Sequence, residues 1–274
     1  MNLLVMAGTK DAIKIIEMLS KNNESSFKGN SNKETHFNIL STTTTRYGAI
    51  LAKKAGAYDA ISRPLDKDEL VNLIQKKDVK ILIDATHPFA TQASTNAINA
   101  SKKASIKYIR FERPSINYSN VEGIHIVNSY DEAGQFAKNI IKNNEKKVLH
   151  LAGVSTIKSI LKSVPLNQLI VRVLPNTTSV GICEEIGISG KNIVAMQGTF
   201  SKEFNQALMR EYDVGVVITK ESGETGGVPS KIDAALEIGL ELILINRPEI
   251  KELNENSVVN TIEELQKKLE EIIK

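Results

Sequence analysis

Leu3-Leu4-Val5-Met6-Ala7-Gly8-Thr9-Lys10-Asp11-Ala12 joins a continuous apolar run to a glycine and then to the start of a helical stripe. The stripe continues through Ile15, Ile16 and Leu19, at the three- and four-residue spacing of one helix face. A strand that is apolar at every position is buried on both sides, as parallel sheets require. The same couplet recurs along the chain. Strands are expected at Phe37–Ser41, Asp59–Ser62, Ile81–Ala85 and Tyr108–Phe111. Between them lie helices at Gly48–Lys54, from the capping pair Asp66 and Glu69 onward, and along Ala90, Ala93, Ala97, Ala100 and Ala104. After a polar linker, Arg113–Gly123, the rhythm restarts with strands at Ile124–Val127, Val148–Ala152, Leu169–Leu174, Ile193–Met196, Val214–Thr219 and Leu242–Asn246. Ser129 and Thr261 open further helices. This alternation gives an α/β fold class with two parallel sheets covered by helices on both faces. The linker divides the chain into domains at 1–116 and 117–274. The polar stretch 22–36 is expected to form a flexible surface loop.

Composition narrows the function. Of 274 residues, 41% are hydrophobic and 24% charged, which excludes wholesale disorder and low-complexity classes. The net charge is only +3, and the Lys pairs 53–54, 76–77 and 146–147 read as solvated surface, so no nucleic-acid partner is expected. The single Cys183 excludes an internal disulfide, and with four His it is poor material for a zinc site, so no metal site is expected. No apolar run reaches the length of a bilayer span, and the first residues lack the basic start of a signal peptide. A cytoplasmic protein without a membrane partner is expected.

In open α/β sheets, ligands sit beyond the carboxyl ends of the strands, so the residues just after each apolar run are the candidates. Gly8 and Thr9 come first: a glycine admits close backbone approach, and the helix beyond offers N–H groups to a phosphate. The three-glycine fingerprint is absent. Ser41-Thr42-Thr43-Thr44-Thr45-Arg46-Tyr47-Gly48 follows the second strand, where the adenosine ribose of a dinucleotide is read. No acid is present there; the hydroxyls and Arg46 suit a 2′-phosphate, and a plain hydroxyl-rich turn is the alternative. Asp84-Ala85-Thr86-His87-Pro88-Phe89-Ala90 caps the fourth strand, with Pro88 expected in the first turn of the next helix and Thr86 or His87 near its N-terminus. In the second half, Arg172-Val173-Leu174-Pro175, Gln197-Gly198-Thr199-Phe200-Ser201 and Thr219-Lys220-Glu221-Ser222-Gly223 each follow a strand, and Ser201 is placed to cap a helix. Each alone reads equally as an ordinary loop. There is no nucleophile elbow, Walker loop or HExxH.

In order and spacing, these segments resemble the precorrin-6A reductase family of cobalamin biosynthesis, from Leu3 to Pro248. The resemblance is carried by Ile83–Ala90, Arg110-Phe111-Glu112-Arg113-Pro114, Arg172–Pro175, Gly198–Ser201 with Asn205, Thr219–Gly223 with Gly226, Gly227 and Lys231, and Asn246-Arg247-Pro248. Two segments depart from it: Asp11 stands where the family's GGTxEA-like loop has Glu, and Ala152-Gly153-Val154-Ser155 lacks the TGSK-like form. The resemblance implies two Rossmann-like parallel-sheet domains with an interdomain cleft. It implies an oxidoreductase that transfers a hydride from NADPH or NADH to C19 of (cobalt-)precorrin-6A, with a proton added at C18. It implies cofactor contacts at Gly8, Thr9, Thr43, Thr44, Arg46, Tyr47, Gly48, Thr86, His87 and Pro88. Substrate contacts are implied at Phe89, Arg172, Gly198, Phe200, Ser201, Asn205, Lys220, Ser222, Gly223 and Lys231. His87 and Lys220 are the candidate proton donors. Arg172, Lys220 and Lys231 suit a substrate rich in carboxylates. Neighbouring corrin-pathway enzymes are expected partners, and any cobalt arrives inside the substrate. The cobalt-bound and cobalt-free substrates both stay open, although the Lys-, Asn- and Ile-rich composition leans towards an anaerobe's cobalt-early route. A reductase of another substrate and a non-catalytic dinucleotide sensor are the alternatives.

Overall fold

The computed structural model describes residues 1–25, 36–142, 145–223 and 226–273. The chain forms two compact units, Met1–Pro114 with Pro248–Lys274, and Ser115–Arg247. In the first unit, β1 (Asn2–Met6) is central. Strands β2 (Asn38–Thr43), β3 (Asp59–Ser62), β4 (Val79–Asp84), β5 (Lys107–Phe111) and β12 (Val258–Val259) complete a six-stranded sheet in the order β3-β2-β1-β4-β5-β12. Every neighbouring pair is parallel. The reason is visible in β1. Leu3 and Val5 point into one core with Ala12, Ile15, Ile16 and Leu19 of α1 (Lys10–Ser25), Ala52 of α2 (Arg46–Lys54) and Leu265 and Leu269 of α10 (Ile262–Ile273). Leu4 and Met6 point the other way, against Leu70, Val71 and Ile74 of α3 (Lys67–Lys76) and Ala97 and Ala100 of α4 (Thr91–Lys103). A run apolar at every position thus feeds two cores by alternation.

The second unit repeats the plan. Strands β6 (Ile124–Val127), β7 (Lys147–His150), β8 (Leu169–Val173), β9 (Ile193–Ala195), β10 (Val214–Lys220) and β11 (Glu241–Ile245) are ordered β9-β8-β7-β10-β11-β6, all parallel. Helices α8 (Lys202–Glu211) and α9 (Val228–Glu237) bury Met209, Val228, Ile232 and Ala235 against one face. In each sheet the strand order reverses once, between β1 and β4 and between β7 and β10, and these reversals are the two topological switch points. Among the described residues, no helix is long and apolar enough to cross a membrane.

Three expectations need correction. The second domain does not run to residue 274: β12 pairs with Arg110 and Phe111 of β5, and α10 fills the first core, so residues 248–274 return to the first unit. A two-residue edge strand carries no periodicity that could have signalled this. The polar loop over 22–36 begins late, because α1 continues through Ser25, past the end of its apolar stripe; residues 26–35 lie outside the described ones. Pro88 is not in the first turn of α4. It sits in a separate turn, closed by Ala90 N–H donating to His87 O (2.8 Å), and α4 starts at Thr91 behind an N-cap Ala90 with no side-chain bond.

Candidate active site

The first switch point is held by backbone bonds from the loops to the ends of neighbouring strands. Ala7 N–H donates to Thr42 O (2.8 Å) and Ala85 N–H to Met6 O (3.0 Å). Thr9 Oγ1 donates to Ala85 O (2.9 Å) and accepts Ala12 N–H (3.1 Å), so Thr9 both caps α1 and clamps the loops after β1 and β4 together. Between them Gly8 has φ +155°, and a Cβ built there would meet nothing within 4 Å. The backbone is therefore open to close approach by a ligand at the start of α1. Asp11, the residue that departs from the family loop, is buried and ion-paired with Arg113.

Beside this loop lies a pocket of about 380 Å³, bordered by Ala7, Thr42, Thr43, Thr44, Arg63, Leu65, Thr86 and Phe89 among others. Thr43 Oγ1 donates to Thr45 O (2.9 Å), and Thr45 Oγ1 caps α2 by accepting Gly48 N–H (3.1 Å). Gly48 thereby has its N–H occupied, and a Cβ on it would stand 3.2 Å from both Thr43 Cβ and Thr45 Oγ1, so the first turn is closely packed there. Arg46 and Tyr47 are exposed on that turn, which carries no acid. Phe89, expected at the substrate, lies at this pocket together with Thr86.

Beneath the pocket, Thr86 joins a buried polar network whose other members, Asp84, Ser94, Tyr108, Arg110 and Glu112, had no site role expected from the sequence. Arg110 Nη1 meets Asp84 Oδ1 at 2.9 Å, Thr86 Oγ1 at 3.0 Å and Ser94 Oγ at 3.3 Å, and its Nε meets Glu112 Oε2 at 3.0 Å. Asp84 Oδ1 also accepts Thr86 N–H (3.0 Å) and Thr86 O–H (2.7 Å), while Oδ2 accepts Tyr108 O–H (2.9 Å). Asp84 and Arg110 are both 0% exposed. Burial pushes the Asp84 carboxyl up, but the Arg110 charge and the Ser94 and Thr86 hydrogen bonds outweigh it and hold it below its ordinary value. Burial likewise opposes the Arg110 charge, and Asp84 and Glu112 more than restore it. The available signal was a charged residue inside each of two apolar strand ends, Ile81-Leu82-Ile83-Asp84 and Tyr108-Ile109-Arg110-Phe111.

His87 accepts Phe89 N–H at Nδ1 (3.2 Å), and its ring lies 5.8 Å from that of Phe89. Acceptance at Nδ1 assigns the ring proton of the neutral imidazole to Nε2.

The carboxyl edge of the second sheet has a different chemistry. Arg172, on β8, donates from Nη1 to Asn205 Oδ1 (3.0 Å) and lies 5.1 Å from the centre of the Phe200 ring. Asn205 is buried and returns its amide to Phe200 O (3.2 Å) and Ser201 O (2.8 Å), so it locks Arg172 to the loop after β9. Ser201 caps α8 as expected, accepting Phe204 N–H (3.2 Å). Gly198 has φ +148°, a backbone conformation that favours glycine, and the Phe200 ring lies at ordinary contact distance from where its Cβ would be. Lys220 ends β10; burial lowers its pKa. Lys231, on α9, donates to Gly226 O (3.3 Å); burial, then the charges of Arg172 and Lys220, bring it to about 8. Burial alone lowers Arg172 to about 10. Ser222 is buried, and Gly223 N–H donates to Glu221 Oε1 (2.8 Å), whose Oε2 is paired with Arg247. Three cations thus share one neighbourhood, beside an aromatic ring. Among the described residues, no group of three or more His, Cys, Asp or Glu could hold a metal ion.

Two clusters therefore emerge from the candidate residues, one in each unit: Gly8, Thr9, Thr43, Thr44, Thr86 and Phe89 in the first, and Arg172, Phe200, Asn205, Lys220 and Lys231 in the second. A family model described as "Precorrin-6x reductase CbiJ/CobK" matches residues 2–270. Cobalt-precorrin-6A reductase of Methanothermobacter thermautotrophicus is 44% identical over 265 residues, covering 97% of this chain and 82% of that protein. The protein of the same name from Methanocaldococcus jannaschii is 42% identical over 253 residues (91% and 92% covered), and that from Priestia megaterium is 35% identical over 268 residues (96% of each). The solved structure of CobK precorrin-6A reductase has the same fold, with a TM-score of 0.71 at 20% identity, covering 98% of this chain and 96% of that one. A match that begins in β1 and ends in α10 takes in both sheets and every loop that carries a candidate residue, and the chain belongs to the precorrin-6x reductase (CbiJ/CobK) family.

Proposed function

We propose that this chain is an NAD(P)H-dependent oxidoreductase that reduces cobalt-precorrin-6A, with the first sheet holding the dinucleotide and the second holding the tetrapyrrole's carboxylates. The observation that carries this reading is the cluster of Arg172, Lys220 and Lys231. Three positive charges gathered in one neighbourhood make it attractive to anions, and a tetrapyrrole with many carboxylates is such a ligand. Phe200 offers an aromatic surface beside them. The cobalt-bound substrate is favoured because the relatives of 35–44% identity reported above are named for it, whereas the precorrin-6A reductases of Rhodococcus erythropolis and a Sinorhizobium species are 27% and 24% identical.

The residues fit a dinucleotide. The open backbone over Gly8 suits the pyrophosphate, and the pocket walled by Thr42, Thr43, Thr44 and Leu65 suits the adenosine half. NADPH is favoured over NADH: no acid awaits the ribose, and Thr44 and Arg46 at the start of α2 suit a 2′-phosphate. When bound, the reduced nicotinamide supplies the hydride, and the protein's task is to orient the partners and exclude water. Of the two candidate proton donors, Lys220 is favoured. Burial makes its ammonium readier to release a proton, whereas a doubly protonated His87 would lose the Phe89 N–H bond at Nδ1.

The test is an anaerobic assay of the purified chain with cobalt-precorrin-6A or precorrin-6A and each reduced nicotinamide. Oxidation of NADPH coupled to a change in the tetrapyrrole spectrum, fastest with the cobalt-bound substrate, is expected. Dinucleotide binding without turnover of either substrate would overturn the reading.

A further inference from the structure

Asp84 and Arg110 are register partners on β4 and β5, so their side chains lie on one face at the carboxyl edge. We propose that Arg110 is a positioning residue for dinucleotide binding, acting through Thr86. The inference rests on the cofactor reading of the first sheet.

Thr86 borders the dinucleotide pocket, yet its hydrogen-bonding groups are turned inward. Its N–H and its hydroxyl both donate to Asp84 Oδ1, at 3.0 and 2.7 Å, and its oxygen receives Arg110 Nη1 at 3.0 Å. The hydroxyl proton is committed and one lone pair is occupied, which fixes the rotamer. The same Nη1 reaches Ser94 Oγ in the first turns of α4, at 3.3 Å. One guanidinium therefore ties together the end of β4, the turn after it and the start of α4, and the last two of these border one side of the pocket. Fold stability does not require ions here, since well-packed apolar side chains commonly replace a buried ion pair without loss. Arg110 Nη2 is moreover buried with no hydrogen-bond partner among the described residues, a cost that packing alone would avoid. What the charged set provides is a single orientation of Thr86 and of the turn that carries His87 and Phe89.

The experiment measures NADPH dissociation constants by calorimetry, and KM for cobalt-precorrin-6A, in R110K, T86V, T86S and the double variant R110K/T86V. R110K keeps a cation beside Asp84 but lacks the planar fork. We expect R110K and T86V each to weaken NADPH binding about tenfold, the size of one lost charge-assisted hydrogen bond. T86S, which keeps the hydroxyl, should bind NADPH like the parent. The double variant should be no weaker than T86V alone, and KM for the tetrapyrrole should not move. NADPH binding by R110K as tight as the parent's, or losses that multiply in the double variant, would overturn the proposal. If R110K fails to fold, the comparison of T86V with T86S decides, and equal affinity in those two rejects it. Failure of the parent chain itself to bind NADPH is a separate result, which rejects the underlying cofactor reading.

Discussion

His150, at the end of β7, makes acid stability a quantitative test of the second unit. Its ring is fully buried beside the second switch point. Nε2 lies 2.9 Å from Thr156 Oγ1 and 3.2 Å from Gly153 O, and Nδ1 has no partner among the described residues. Burial, and then the nearby Lys220 charge, lower its pKa from 6.5 to about 4 against the opposing pull of the Gly153 carbonyl. The folded value lies below the unfolded one, so the unfolded chain binds the proton more readily. Stability is therefore complete above pH 6.5 and drains away as pH falls towards 4. With those two values, the loss between pH 7 and pH 5 is about 2 kcal/mol, or about 4–8 °C in melting temperature. Thermal unfolding at pH 7, 6 and 5, compared between the parent and His150→Gln, reads the effect, and titration of the His150 ring by NMR gives the pKa directly. The glutamine variant should lose about 2 kcal/mol less over this interval. Equal acid sensitivity in the two chains, or an imidazole that titrates near 6.5, would refute the assignment of a neutral, desolvated ring.

Other substitutions separate the two clusters. Gly8→Val should cost about 1–2 kcal/mol of stability from the backbone strain while abolishing NADPH binding, because the side chain would fill the open approach to α1; calorimetry showing parental affinity would contradict this. Arg172→Ala should raise KM for the tetrapyrrole about 10- to 100-fold, the weight of a charge-assisted bond, and leave NADPH affinity unchanged. Leu265→Ala, in the C-terminal helix, should destabilise the first unit by about 2–5 kcal/mol. Hydrogen exchange should then quicken in β1 and β4 and stay unchanged in β7 and β10; the reverse pattern would place residues 248–274 in the wrong unit.

Much of this was legible in the sequence because local rules and tertiary demands agree. The apolar run at Leu3–Ala7 needed no partner to declare itself a central strand. Asp66 and Glu69 form the full capping box, and Ser129 and Ser201 cap the helices they precede. Loops after strands gave the candidate residues, since open parallel sheets bind ligands there. What escaped depends on contacts distant in sequence. Val258 and Val259 are too few to show a period, yet they carry the chain back to β5. Asp84 and Arg110 meet only through the β4–β5 register, so the sequence showed two charged residues in apolar runs without showing that they face each other. Asn205 was expected at the substrate, and the sequence did not show that its amide bridges Arg172 to the backbone of Phe200 and Ser201. His150 gave no signal, because a histidine at a strand end reads the same whether buried or exposed.

The most direct test of the central claim follows the hydride itself. The chain is incubated anaerobically with cobalt-precorrin-6A and NADPH carrying deuterium at the transferred position of the nicotinamide, and the product is analysed by mass spectrometry and NMR. The account predicts one deuterium in the product, at C19, with the C18 hydrogen drawn from solvent. A reduced product that carries no deuterium, or no reduced product while NADPH stays bound, would contradict it.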